Sequence, residues 1–359
     1  MWVADMDFAA PPGVTEALRA EIERGTHGYY ADTGSWAEAL TAWMARRHGV
    51  EFDPAWVSQT PGIVSGLGLI LQAFSSPGDE IVLFPPAYHA FRKIILANDR
   101  RILDAELIEA DGRYEMDLEA LAASITAKTK IVFFCSPHNP GGTVWAADEI
   151  RALATFCAEH DLILVSDEIH CDLVFDSAAH TPTIAAAPEV ADRLITCVAA
   201  TKTFNLAGAH VGACITSNAS LKARLDARIA ACGLGSYNGF GMVATEAAWR
   251  TGETWLDALM SYLAENKNVF DKRIEALAPG ACSMRLDATY LAWVDFSKTG
   301  LSSGDVVARI KDHARIFASP GPQFGPGGDS WCRFNFATPR PLLKEALGRL
   351  DEAFQDLRA

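Results

Sequence analysis

The sequence predicts an α/β fold, a mostly parallel sheet flanked by helices, followed by a smaller α+β C-terminal domain. Two observations predict it. Up to about residue 253, short and continuously apolar runs alternate with amphipathic stretches. Strands buried on both faces alternate with covering helices in that way. From about Thr254 the pattern changes to one long amphipathic stretch, then strand-like and helix-like runs in mixed order. A chain of 359 residues fits two domains. We place a large domain at 13–253 and a small one at 254–359, joined by the N-terminal segment 1–12.

The elements follow in order. PPGVTEALRAEIERG reads as a first helix, with Val14, Leu18 and Ile22 on one face and Gly25 as a stop. SWAEALTAWMARRHG reads as a second. The strand-like runs are EIVLF (80–84), KIVFFC (130–135), LILVSD (162–167), RLITCVAAT (193–201) and VGACITS (211–217). Helical stretches GIVSGLGLILQAF, AFRKIILAN, LEALAASIT and DEIRALATFCAEH lie between several of them. The C-terminal part holds the long helix TWLDALMSYLAENKNVFDKRIEAL. Strands SMRL and YLAWVDF, helix SSGDVVARIKDHA, strand WCRFNF and helix PLLKEALGRLDEAF follow it.

Composition narrows the function. Hydrophobic residues at 50% and charged residues at 21% are an ordinary globular balance. The net charge of −14 argues against a nucleic-acid partner, which needs clustered Lys and Arg. The eight cysteines form no C-x-x-C pair and no zinc spacing. They predict reduced, mostly buried thiols in a cytoplasmic protein, with no metal site. No apolar run is long enough to span a bilayer, and MWVADMDF lacks the charged start of a secretory signal.

Open α/β sheets bind ligands beyond the C-terminal ends of their strands, so the residues that follow each run matter most. KIVFFC leads into SPHNPGG and places Asn139 in a Gly/Pro turn. LILV leads into SDEIH and places Asp167 at the strand end, with His170 three residues on. LITCVAA leads into TKTFNLAG and places Lys202 just past a strand. Singly, these read as a turn residue, a helix cap and a surface lysine. Together they supply an amide, a carboxylate and an amine from three strand ends of one sheet. That set suits pyridoxal-phosphate (PLP) chemistry. The cofactor needs a lysine to bond covalently, a carboxylate against its pyridine nitrogen, a donor to its ring hydroxyl oxygen, a flat cover and a phosphate cradle.

The motifs WVADMDF, HGYY, SPHNPGG, SDEIHCDL, TKTFNLAG and RFNFATPR occur in order over essentially the whole chain. They resemble the cystathionine β-lyase/C–S lyase branch of the fold-type I PLP enzymes, within the aminotransferase superfamily. SPHNPGG marks the wider superfamily; SDEIHCDL with WVADMDF is specific to the branch.

The resemblance implies a role for each matching position. Lys202 is the cofactor lysine and the acid/base at Cα. Asp167 pairs with the pyridinium nitrogen, Asn139 and His170 stand near the ring hydroxyl oxygen, and Tyr88 stacks on the ring. Lys202, Asp167 and Tyr88 form the catalytic set. Gly62, Ile63 and Val64 offer backbone N–H groups to the phosphate at a helix N-terminus. The Gly62/Gly66/Gly68 spacing is not G-x-G-x-x-G, which argues against a dinucleotide site. Thr201 adds a hydroxyl to the phosphate. Tyr29 reaches it from the neighbouring subunit of a homodimer, with Tyr30 as the alternative one residue on. Two positions depart from the aminotransferase pattern. Ala199 stands where many members have a phosphate-binding Ser, and His210 where many have an Arg. Arg333 clamps the substrate α-carboxylate, and Ala4 and Asp5 line the substrate side.

The reaction implied is α,β-elimination from an L-cysteine S-conjugate such as L-cystathionine, giving a thiol, pyruvate and ammonia. An aminotransferase would use the same lysine and carboxylate. A regulatory binding protein with vestigial lyase activity is the alternative of another class, and the chain has no basic patch to support it.

Overall fold

The computed structural model describes residues 1–176 and 178–358. Its strands, in chain order, are β1 (Val57–Thr60), β2 (Glu80–Leu83), β3 (Arg101–Asp104), β4 (Ile108–Ala110), β5 (Arg113–Glu115), β6 (Thr129–Cys135) and β7 (Ile163–Asp167). They continue with β8 (Leu194–Val198), β9 (Gly212–Ile215), β10 (Cys282–Ser283), β11 (Leu291–Asp295), β12 (Ser319–Pro320) and β13 (Trp331–Asn335). The main sheet runs β1-β9-β8-β7-β6-β2-β3. The pairings among β3, β2, β6, β7 and β8 are parallel, and β9 pairs antiparallel with both β8 and β1. A second sheet, β10-β11-β13-β12, is antiparallel, and β4 and β5 form a hairpin.

Helices cover both faces of the main sheet. Along β7, Ile163, Val165 and Asp167 alternate with Leu164 and Ser166, as the two-residue period of a strand requires. Val165 packs in a cluster with Leu67, Ile70 and Ile95 from helices Ile63–Phe74 and His89–Ala97. Leu164 packs on the other face with Ile150 and Leu153 of helix Ala147–Glu159. Each such fully buried side chain contributes about 1.5–3 kcal/mol. Helix Thr33–His48 shows clear local signals. Asp32 accepts the Ser35 N–H at 3.2 Å, and Gly49 ends the helix in the left-handed region.

The N-terminal residues run beside β13. The Met1 carbonyl accepts the Asn335 N–H, and the Ala337 carbonyl accepts the Asp7 N–H, both at 2.9 Å. Among the described residues, no helix is long and apolar enough to cross a membrane.

Four local readings change, the first being SMRL, of which only Ser283 lies in a strand, β10. β1 and β3, the edges of the main sheet, escape a search for apolar runs because VSQT and RILD are part polar. The run 193–201 is not one strand: β8 ends at Val198, and Ala200–Thr203 forms a helical turn. Its sequence stays apolar because the turn is buried too. SSGDVVARIKDHA is an α-helix only over Ser303–Ala308 and then widens to a π-type turn, Arg309–His313.

Candidate active site

β6, β7 and β8 are neighbours and parallel, so their C-terminal ends meet at one edge of the sheet. Asp167 ends β7, in register with Cys135 on β6 and Cys197 on β8. Asn139 follows β6, and Lys202 sits in the turn after β8. All three line one cavity of about 320 Å³, within the size range of small-ligand sites.

Lys202 reaches across the cavity, and its Nζ donates to the Ala4 carbonyl at 2.5 Å. Burial and the nearby Arg333 charge lower its pKa to about 8, against opposing pulls from Asp5 and Asp167. The Ala4 carbonyl is held in place from several sides. Tyr290 donates its hydroxyl to that same oxygen at 3.1 Å. Asn335 Nδ2 donates to the carbonyls of Val3 at 2.6 Å and Asp5 at 2.5 Å. Asn205 pairs with Met6 through both its amide oxygen, at 2.9 Å, and its amide nitrogen, at 2.8 Å.

Asp167 is buried, and burial raises its pKa to about 7. Its Oδ1 accepts the Ile169 N–H at 3.2 Å, and the side chain makes no other hydrogen bond among the described residues. An unpaired buried carboxylate is costly, and a cationic N–H placed against it would restore its charge. His170 is buried in the cavity wall with no partner for Nδ1 among the described residues. Burial, Lys202 and Arg333 push its pKa down to about 3, so the imidazole is neutral.

Asn139 and Arg333 form a pair. Arg333 Nη1 donates to Asn139 Oδ1 at 2.9 Å, which leaves the Asn139 amide N–H groups for the cavity. Arg333 does not itself line the cavity; it stands behind Asn139 at its edge. It is 2% exposed, has no carboxylate partner among the described residues, and leaves Nε unpaired. Its other contacts are neutral: the Trp2 carbonyl at 3.2 Å, the Ser319 hydroxyl at 3.4 Å and the Phe324 ring, whose centroid lies 5.0 Å away. Burial lowers the guanidinium pKa to about 10, which leaves it cationic at neutral pH.

Tyr88, which precedes helix His89–Ala97, lines the cavity half-buried. At the other end helix Ile63–Phe74 points its N-terminus inward. Here one sequence expectation is corrected. Gly62 lines the cavity, but its N–H is taken by the Thr60 carbonyl at 2.8 Å. The donors at this end are therefore the first-turn N–H groups of Ile63, Val64 and Ser65, which have no partner within the helix. The Thr201 hydroxyl faces the same cavity with no hydrogen bond among the described residues, and His210 lies exposed at the mouth.

One further expectation shifts. Asp5 is exposed and outside the cavity lining, because the chain alternates direction and turns Ala4 inward instead. It acts on the site through its carbonyl, which Asn335 holds, and through its charge, which raises the Lys202 pKa. Tyr29 is 92% exposed and outside its own chain's cavity. Tyr30 is turned into its own chain, with its hydroxyl 3.4 Å from Glu246. The sequence reading missed Ser65, Cys135, Asn205, Tyr290 and Asn335. Asn205, inside TKTFNLAG, and Asn335, inside RFNFATPR, carried a signal that could have found them.

These groups fit a flat phosphorylated pyridine. First-turn N–H groups, a hydroxyl, an amine and a buried carboxylate all line the one cavity.

The aminotransferase class I and II family model matches residues 3–350. Cystathionine beta-lyase PatB of Bacillus subtilis (strain 168) is 37% identical over 98% of this chain and 92% of its own. Protein MalY of Escherichia coli (strain K12) is 31% identical over 99% and 91%. Cystalysin from Treponema denticola, solved with a pyridoxal 5′-phosphate cofactor, superposes with a TM-score of 0.96 at 32% identity, covering 99% and 91%. The chain belongs to the aminotransferase class I and II family, among its cystathionine β-lyase and C–S lyase members.

Proposed function

We propose that this chain is a PLP-dependent carbon–sulfur β-lyase that cleaves L-cystathionine or a related L-cysteine S-conjugate to a thiol, pyruvate and ammonia. One observation carries the reading. Lys202, with a pKa lowered to about 8, shares a cavity with the buried Asp167, and Arg333, which meets no carboxylate among the described residues, stands at its edge. The relatives' names point to the same reaction class.

When bound, PLP bonds to an amino group and draws electrons from the carbon that carries it. The residues act around that chemistry. Asp167 faces the ring nitrogen and holds its proton. The Asn139 amide, fixed by Arg333, donates to the ring hydroxyl oxygen, and the neutral His170 stands beside it. Tyr88 covers the ring. The N–H groups of Ile63, Val64 and Ser65, the Thr201 hydroxyl and His210 surround the phosphate. Arg333 takes the substrate α-carboxylate with its fork, beside the Ala4 segment. Lys202 removes the Cα proton as a free amine; near neutral pH a pKa of about 8 keeps a usable fraction unprotonated. The same amine then carries that proton to the departing sulfur.

The assembly is proposed as a homodimer in which the exposed Tyr29 completes the neighbour's phosphate site. Residues 254–359 with 1–12 are proposed to move as one small domain against 13–253, carrying Arg333 onto the substrate. A cytoplasmic location suits eight free cysteines, of which six are buried. Pyruvate formation from L-cystathionine without an added keto acid tests the reading. Amino-acid-driven conversion of PLP to its amine form, without pyruvate, is the aminotransferase outcome.

A further inference from the structure

The mechanism uses the front of the turn after β7, where Asp167 and His170 face the cavity. The back of the same turn carries a third polar residue, Asp172, which is buried away from the cavity. Its Oδ2 accepts the Thr203 hydroxyl at 2.7 Å. Its Oδ1 accepts the indole N–H of Trp43 at 3.0 Å and His48 Nε2 at 2.8 Å. Thr203 is the next residue after Lys202, in the same four-residue helical turn. Phe204 then packs edge-on against the Trp43 ring, centroids 5.3 Å apart. Three segments thus converge on one carboxylate: the turn after β7, the Lys202 turn and the end of helix Thr33–His48.

Burial opposes the charge of Asp172, but the His48, Thr203 and Trp43 donors outweigh it and hold the carboxyl below its ordinary value. A buried carboxylate with every oxygen engaged is a rigid joint, since moving any partner leaves a charged group unsatisfied. His48, Cys171 and Asp172 also place ligand atoms within 4.8 Å of one another. That cluster is not read as a metal site. Burial drives the Cys171 thiol far up, keeping it protonated, and the Asp172 oxygens are already in use.

We propose that Asp172 is a positioning residue for the reaction: through Thr203 it locks the turn carrying Lys202 to the turn carrying Asp167 and His170. The spacing between the amine and the carboxylate is then set from behind the cavity, by groups that touch neither substrate nor cofactor. The inference rests on the reading of Lys202 as the reactive amine.

Thr203→Val tests it, because valine keeps the shape and removes only the hydroxyl donor; Thr203→Ser returns the donor. Two quantities are read. One is kcat and KM for pyruvate release from L-cystathionine by the PLP-loaded protein. The other is the pH midpoint for acylation of Lys202 by an amine-directed reagent in the cofactor-free chain, followed by peptide mapping. The expected result for Thr203→Val is a loss in kcat of about 10–100-fold with KM within about twofold, the size that small misplacements of a reacting group produce. The acylation midpoint rises towards that of a surface lysine, and Thr203→Ser restores both. Asp172→Asn moves both the same way if it folds. Wild-type values of either quantity in Thr203→Val, whatever happens to its melting temperature, overturn the proposal. If the wild type releases no pyruvate, the lyase reading fails on its own, and the Lys202 midpoint alone decides this one.

Discussion

Arg333 Nη1 donates to Asn139 Oδ1 across 2.9 Å, so one amide is bound from behind and open in front. A substrate carboxylate that engages Arg333 therefore acts on the residue proposed to touch the cofactor ring. Among the described residues the guanidinium is buried without a counter-ion, and an incoming anion would satisfy both its charge and its free Nε.

Arg333→Lys keeps the charge and loses the planar fork. A charge-assisted hydrogen bond contributes about 1.5–3 kcal/mol. The expected outcome is a fall in kcat/KM on L-cystathionine of roughly 10–150-fold, mostly through KM. Steady-state kinetics at several substrate concentrations check it.

Asp167→Asn should abolish activity and yet stabilise the cofactor-free protein near neutral pH. Burial raises the Asp167 pKa from 3.8 to about 7 in the folded state. Between those values the folded chain binds more protons at this site than the unfolded chain. Stability at this site is therefore lost as pH climbs from about 4 to about 7. The asparagine variant escapes that loss, which is at most roughly 4 kcal/mol for a shift of this size. Thermal melts at pH 4 and pH 7.5 check it: a gain for the variant at the higher pH only.

Lys202 should titrate apart from the other lysines. In the cofactor-free protein its acylation rate is expected to rise through about pH 8, whereas exposed lysines follow at about 10.4. Asp5→Asn should move the Lys202 midpoint down, because the Asp5 charge raises it. Competitive labelling followed by peptide mapping reads both.

Thr201→Val should weaken cofactor retention by roughly 10–150-fold, the effect of one hydrogen bond to a charged group. The Thr201 hydroxyl has no partner in its own chain among the described residues, so the fold should be unchanged. Dialysis against buffer lacking PLP, followed by absorbance, measures the loss.

Mixing Tyr29→Phe chains with Lys202→Ala chains tests the shared site. Tyr29 is 92% exposed, so its substitution leaves the fold intact. Activity above that of either parent supports a neighbour's Tyr29 at the phosphate, and none beyond the parents counts against it.

The sequence made the sheet legible where strands are buried on both faces. β2, β6, β7, β8 and β9 are apolar runs because helices cover them twice. Edge strands β1 and β3 meet solvent and read as loops. The three strand-end residues were legible for the same reason, since each follows a clear run and breaks it with a polar side chain. Tyr290 was not, and Asn335 was marked only by its place in RFNFATPR. They sit inside or beside apolar strands of the second sheet, and their part at the site comes from an N-terminal segment more than 280 residues away in sequence. Gly62 misled because a glycine before a helix suggests a free N–H, whereas the local turn to Thr60 consumes it.

Pyruvate release from L-cystathionine by the purified, PLP-saturated protein is the most direct measurement, run without a keto acid and with Lys202→Ala as control. Pyruvate that appears with the wild type and vanishes with the variant is the expected result. A PLP-loaded wild type that yields no pyruvate from L-cystathionine or other L-cysteine S-conjugates, or a Lys202→Ala chain that still yields it, would contradict Lys202-dependent β-elimination.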